Sequence, residues 1–127
     1  MGEWSMEPNL CCGTTAWEKK ILKEVENHLE ELLAKSGEMH YKKGQVIFYE
    51  GHYGYGFFVL REGDIALSRV TIQGGIEDLT APSKKIFGLF HLVTNTPHCA
   101  TAHAVTNSIV SFVPKSTVLE FLTRREL

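Results

Sequence analysis

The chain has 127 residues, of which 43% are hydrophobic and 22% charged, and this is enough for one folded domain. Thirteen Lys and Arg residues against fifteen Asp and Glu residues give a formal net charge of −2, so we do not expect this segment to bind nucleic acid. No apolar stretch approaches the roughly 20 residues of a membrane-spanning helix, and the N-terminus lacks the pattern of a signal peptide. We therefore expect a cytoplasmic domain without a membrane partner.

The N-terminal part of the chain predicts a tail followed by an amphipathic helix. Residues 1–13 carry no periodicity and are predicted to be a disordered tail. Thr15 and Glu18 have the spacing of a capping box, in which each side chain accepts a hydrogen bond from the other residue's backbone amide. Apolar residues then recur at steps of three and four, at Ile21, Val25, Leu29, Leu32 and Leu33. We expect a helical segment over 14–37, running to about Lys35 and capped by Gly37.

The central part of the chain, residues 38–114, changes to a β pattern. Short stretches rich in β-branched and aromatic residues alternate with glycine-bearing turns, at residues 46–49, 57–60, 65–70, 76–79, 100–105 and 109–113. Six or more strands about ten residues apart indicate a sandwich or a barrel, not alternating βαβ units. An apolar stretch at residues 86–93 interrupts this pattern. Residues 115–127 are predicted to begin a C-terminal helix, with Ser116 as its cap.

Three blocks of sequence, at residues 41–51, 56–65 and 86–102, resemble the sensory domain of the Crp/Fnr regulators. This resemblance implies a mainly β fold: a double-stranded β-helix (jelly roll) of the cyclic-nucleotide-binding type, with an N-terminal helix, a short cassette helix and a C-terminal helix. The third block is similar to the family's phosphate-binding cassette, which supplies the candidate effector pocket. Its residues here are Gly88, Leu89, Phe90, His91, Pro97, His98, Cys99, Ala100 and Thr101.

The cassette departs from the pattern of the family members that bind cyclic nucleotides. Those members have a Glu after the glycine, an Arg after the proline and then a small hydroxyl residue. Here the three positions hold Leu89, His98 and Cys99. A charge-assisted hydrogen bond contributes about 1.5–3 kcal/mol, so the loss of the Arg and the Glu together lowers affinity by roughly three decades or more. We expect that cyclic AMP and cyclic GMP do not bind at micromolar concentrations.

The resemblance implies a small-molecule effector that acts allosterically, and homodimerisation through the C-terminal helix where that helix is longer. Two alternatives remain open for the site. Residues 97–105 look more like the redox- or gas-sensing branch of the family, so His91 and His98 are candidate haem ligands. The other alternative is a protein-interaction module with an empty pocket. His52, Tyr53 and Tyr55 form an aromatic turn with three open interpretations: it covers the pocket mouth, it touches a partner, or it is a flexible loop with no role.

Enzyme chemistry and a metal centre are not expected. Cupin-type metalloenzymes share this β architecture and need two closely spaced His ligands, whereas His98 and His103 are five residues apart. The sequence also has no nucleophile triad order, phosphate-cradling glycine motif or paired-carboxylate signature. The three cysteines, Cys11, Cys12 and Cys99, have no CxxC spacing and are expected to be reduced thiols.

Overall fold

The computed structural model describes residues 15–80, 83 and 85–125. The predictions for the tail at 1–13 and for the last two residues fall outside this part of the chain. No helix in the described part is long and apolar enough to cross a membrane.

The N-terminal region consists of two helices, α1 (Ala16–Asn27) and α2 (Leu29–Leu33), instead of the single helix predicted. The capping box is present, because the Glu18 amide donates to Thr15 Oγ1 at 3.3 Å and the Thr15 amide donates to Glu18 Oε1 at 3.1 Å. His28 separates the two helices: its backbone leaves the helical region, with φ −118° and ψ 26°. Gly37 is not the helix cap, since α2 is capped at Ala34 and Gly37 already begins the first strand.

In the described part of the chain, eight strands form two antiparallel four-stranded sheets, which confirms the mainly β class. The first sheet has the order β1-β8-β3-β6 and the second the order β2-β7-β4-β5. The strands are β1 (Gly37–Tyr41), β2 (Val46–Phe48), β3 (Gly56–Glu62), β4 (Ile65–Val70), β5 (Ile76–Leu79), β6 (Ile86–Phe87), β7 (Thr101–Ala104) and β8 (Ser108–Pro114). Two further helices are α3 (Leu89–Thr94) and α4 (Lys115–Arg125). Ser116 lies inside α4, not before it as predicted.

Strand β3 contributes to two apolar cores because successive side chains of a strand point to opposite faces. Phe57 and Val59 pack in the helix-side cluster, whose other members come mainly from the helices and include Val25, Leu89 and Phe121. Phe58 packs in the inter-sheet cluster, which also contains Phe87, Ala100, Ala102 and Val110. The first sheet is therefore covered by helices on one face and by the second sheet on the other.

Candidate functional site

The cassette, residues 86–101, begins where β6 passes into α3. Gly88 joins these two elements with φ +81°, a left-handed conformation that a residue with a side chain adopts at a cost. Helix α3 is closed at its other end by a hydrogen-bonded turn, because the Thr96 amide donates to the His91 carbonyl at 2.9 Å. His91 Nδ1 also lies 2.8 Å from Thr96 Oγ1. The turn therefore fixes one nitrogen of the His91 ring.

His98 follows this turn and its side chain points into the protein. The residue is only 3% exposed. Its ring stacks on Phe48 of β2, with the centroids 3.8 Å apart and the planes 16° apart. The ring of His91 lies 6.1 Å away, edge to face, at an interplanar angle of 78°. The structure thus brings together the two histidines that the sequence singled out as candidate ligands.

The aromatic turn covers His98. The Gly51 amide donates to the His98 carbonyl and the His98 amide donates to the His52 carbonyl, both at 2.9 Å. Gly54 lies against the imidazole, since a Cβ built on it would be 3.0 Å from His98 Nε2. Residues 51–54 therefore close over the cassette as a lid held by backbone hydrogen bonds.

This environment keeps His98 uncharged at neutral pH. Burial lowers the pKa of His98 to about 4, and the neighbouring imidazoles of His91 and His52 act in the same direction, while Cys99 acts against them. A buried imidazole in this setting is a neutral ring and not a cation.

The remaining cassette residues are divided between the two cores. Leu89 and Phe90 are buried in the helix-side cluster, whereas Ala100 is buried in the inter-sheet cluster with Cys99 packed against it. Thr101 anchors the chain before β3, because its Oγ1 accepts from the Glu50 amide at 2.9 Å. Pro97 is exposed. Of the cassette residues, Gly88 and His91 therefore lie next to the ring of His98.

Sequence reasoning did not identify Phe48 and Gly54 as residues of this site. Phe48 lies in a predicted strand, where an aromatic side chain indicates core packing, and nothing in its own sequence context connects it with His98. Gly54 lies between the two tyrosines of the aromatic turn, and the expectation that this turn covers the pocket was the available signal. Phe48 and Gly54 reach the site because β2 and the aromatic turn pack against the cassette.

The metal-ligating side chains of the described residues do not converge. Among residues 15–80, 83 and 85–125, no group of three or more His, Cys, Asp and Glu side chains is placed to hold a metal ion. A cleft of about 530 Å³ lies elsewhere on the molecule, near the β1–β2 and β7–β8 turns, and its lining includes Tyr41, Glu62 and Asn107 but no cassette residue. The groups described around His98 are therefore the imidazole of His91, the ring of Phe48 and the backbone of residues 51–54.

Residues 38–125 match the cyclic nucleotide-binding domain family. A cAMP-dependent protein kinase regulatory subunit of Candida albicans is 33% identical over 99 residues, which make up 76% of this chain and 21% of the relative. The sensor domain of the transcriptional regulator DNR from Pseudomonas aeruginosa is similar with a TM-score of 0.65 and 26% identity, over 83% of this chain and 76% of that domain. The catabolite activator protein of Thermus thermophilus shares the fold, with a TM-score of 0.69 and 22% identity over 79% of this chain and 47% of that protein.

The chain spans about a fifth of the length of the curated relative that it matches. The family match covers more than half of the chain, from the second residue of β1 to the end of α4, and includes the whole cassette. On this match, and with structural neighbours among the Crp/Fnr regulators, the chain is a member of the cyclic nucleotide-binding domain family.

Proposed function

We propose that this chain is the effector-binding domain of a Crp/Fnr-type transcription regulator, and that its cassette does not bind cyclic AMP or cyclic GMP at micromolar concentrations. Family membership and the likeness to the DNR sensor domain support a small-molecule effector and a non-catalytic, regulatory role. The burial of His98 is the observation that carries the statement about cyclic nucleotides.

His98 stands where the nucleotide-binding members of the family have an Arg. A guanidinium is charged at every physiological pH and pairs bidentately with a phosphate. The imidazole of His98 is buried, stacked on Phe48 and covered by Gly54, and its pKa is lowered to about 4. It offers no positive charge at neutral pH, so a cyclic phosphate would have to leave water without an ionic partner at this position.

Leu89 removes the second polar contact expected in the nucleotide-binding members. Its side chain is buried in the helix-side cluster with Val25 and Phe121, and not in the inter-sheet cluster next to His98. A ribose hydroxyl would thus find neither a carboxylate nor another charged group at this position. Both departures act in the same direction and lower the affinity for cyclic nucleotides.

Isothermal titration calorimetry of the purified chain with cyclic AMP and cyclic GMP tests the proposal. We expect no saturable heat at ligand concentrations up to about 0.1 mM, since the missing ionic contacts correspond to roughly three decades of affinity. The Candida albicans regulatory subunit, titrated with cyclic AMP under the same conditions, is the positive control. Saturable micromolar binding of either nucleotide to this chain would overturn the proposal.

A haem-dependent sensor is the second candidate, favoured by the approach of the His91 and His98 rings to 6.1 Å and by the neutral state of His98, which suits an iron ligand. The surroundings of His98 do not fit a haem in this conformation. Phe48 covers one face of the ring and the backbone of Gly54 covers Nε2. A Soret band after addition of hemin, lost in His98→Ala, would favour haem sensing. Absence of any ligand response would favour a protein-interaction module.

A further inference from the structure

His98 fills a narrow space that we call the His98 slot, formed by Phe48, Gly54 and Gly88. Phe48 forms one flat wall, with its ring centroid 3.8 Å from that of His98. The other sides are backbone, because a Cβ built on Gly54 would lie 3.0 Å from Nε2 and one built on Gly88 would lie 3.7 Å from Cε1. Phe48 therefore covers one face of the imidazole, and the backbone of Gly54 and Gly88 lies against its Nε2–Cε1 edge.

The imidazole of His98 has no hydrogen-bonding partner in the slot. Within the part of the chain that the structure describes, no hydrogen bond reaches either of its ring nitrogens. Nearly all buried polar groups in folded proteins are hydrogen-bonded. The ring therefore packs on Phe48, the backbone of His98 is held by its bonds to Gly51 and His52, and the ring nitrogens accept or donate no hydrogen bond within the described residues.

Three titratable side chains among the described residues influence the ionisation of His98. They are His91 from α3, His52 from the lid over residues 51–54, and Cys99 next to His98 itself. Among residues 15–80, 83 and 85–125, no carboxylate, lysine or arginine influences the ionisation of His98. A charged ligand would find no ionic partner among these described groups. A neutral planar ring, in contrast, would stack on Phe48 and needs no opposite charge.

We propose that the His98 slot is the effector subsite and that the imidazole stands in for the effector, which is a flat, uncharged heteroaromatic ring of about imidazole size. Binding displaces His98 while the lid over residues 51–54 opens. This inference rests on the proposed function, since it names the class of ligand that the cassette takes. In the domain without effector, the side chain of His98 therefore occupies the effector subsite.

Cavity complementation tests the inference. His98→Ala removes the ring and leaves Phe48, Gly54 and Gly88 in place, and imidazole is the probe, used at about pH 8 where it is neutral. We expect saturable stabilisation of this variant in thermal unfolding, with a dissociation constant in the millimolar range. At ten times that constant, imidazole raises the folding equilibrium constant about tenfold.

Two controls separate the slot from other effects of the probe. His52→Ala removes an exposed imidazole from the lid and creates no slot, so imidazole should not stabilise it. Methylguanidinium, flat but charged, should not stabilise His98→Ala. The inference is overturned if folded His98→Ala gains nothing from imidazole, or gains as much from methylguanidinium.

Gly54→Ala provides a second test of the inference if His98→Ala does not fold. Gly54→Ala places a Cβ 3.0 Å from Nε2 and should push the His98 ring out of the slot. NMR titration should then show the pKa of His98 shifted towards the ordinary value of a histidine, and an unchanged pKa would contradict the inference. Micromolar binding of cyclic AMP to the wild-type chain would overturn the proposed function instead, so the two failures are distinguishable.

Discussion

His98 links the stability of the fold to pH through a single side chain. Burial lowers its pKa to about 4 in the folded chain, whereas an unfolded histidine titrates near 6.5. The unfolded state therefore binds more protons between these two values, so the stabilising contribution is complete above about pH 6.5 and is lost as the pH falls towards 4. The expected loss is roughly 2 kcal/mol in the free energy of unfolding, measured by urea unfolding at pH 7 and about pH 4.5.

Two variants isolate the contribution of His98 from that of the carboxylates, which titrate in the same range. His98→Asn keeps a planar polar side chain but cannot titrate, so its loss of stability on acidification should be smaller than that of the wild type by about this amount. His40→Asn, at an exposed position on β1, should behave like the wild type. An equal loss in His98→Asn and the wild type would show that His98 is not a buried neutral ring.

Much of the site could be predicted at the level of residue identity, but not at the level of side-chain direction. The resemblance to the Crp/Fnr sensory domain placed the candidate cassette at Gly88, Pro97 and His98 and predicted its missing charge, because the motif that carries the resemblance is local in sequence. The stacking of His98 on Phe48 brings together residues 50 positions apart, and it depends on the pairing of β2 with β7. No local pattern specifies that contact.

The elements are joined by two glycine turns, at Gly63 and Gly74, that have similar backbone conformations but different surroundings. Gly63, between β3 and β4, has φ +96°, and a Cβ there would collide with Ser108 Oγ and lie 2.6 Å from the Asn107 carbonyl oxygen. Gly74, between β4 and β5, has φ +89° and nothing within 4 Å of such a Cβ. The Gly63 turn is therefore packed against the β7–β8 turn, and the Gly74 turn is open.

Alanine at the two positions separates backbone strain from packing. We expect Gly74→Ala to lower the free energy of unfolding by about 1–2 kcal/mol, the cost of a left-handed residue with a side chain. Gly63→Ala should cost about 1–3 kcal/mol more, because its Cβ also collides with the neighbouring turn. Urea unfolding of both variants measures the difference. Equal destabilisation by Gly63→Ala and Gly74→Ala would mean that the Gly63 turn does not pack against the β7–β8 turn.

The elements that sequence predicted best are those with a strong local signal. The capping box at Thr15 and strand β8 are examples, since the two partners of the box lie three residues apart and the strand is rich in β-branched and aromatic residues. Strand β1 was missed because its side chains are mostly exposed and carry no apolar alternation. The break at His28 was missed because the apolar spacing continues through it, from Val25 to Leu29.

The whole molecule depends on the first sheet, which separates the two cores and contributes to both. In β8, Val113 packs in the helix-side cluster while Val110 packs in the inter-sheet cluster. The helices are attached to this sheet by the apolar contacts of the helix-side cluster. The ion pairs Lys35–Glu120 and Arg124–Glu31 join α4 to α2 and to the residues that follow it, and they contribute little because they are exposed. Helices and sheets should therefore unfold as one unit.

Two neighbouring apolar residues of α4 test this cooperativity. Phe121 is 1% exposed and contacts the ring of His28, with centroids 5.4 Å apart, whereas Leu119 is 45% exposed. Phe121→Ala should lower the free energy of unfolding by about 3–5 kcal/mol, and Leu119→Ala by no more than about 0.5 kcal/mol. Because the first sheet joins the cores, hydrogen exchange in Phe121→Ala should accelerate in β4 and β7 as much as in α1. Faster exchange confined to the helices would show that the helices unfold independently of the sheets.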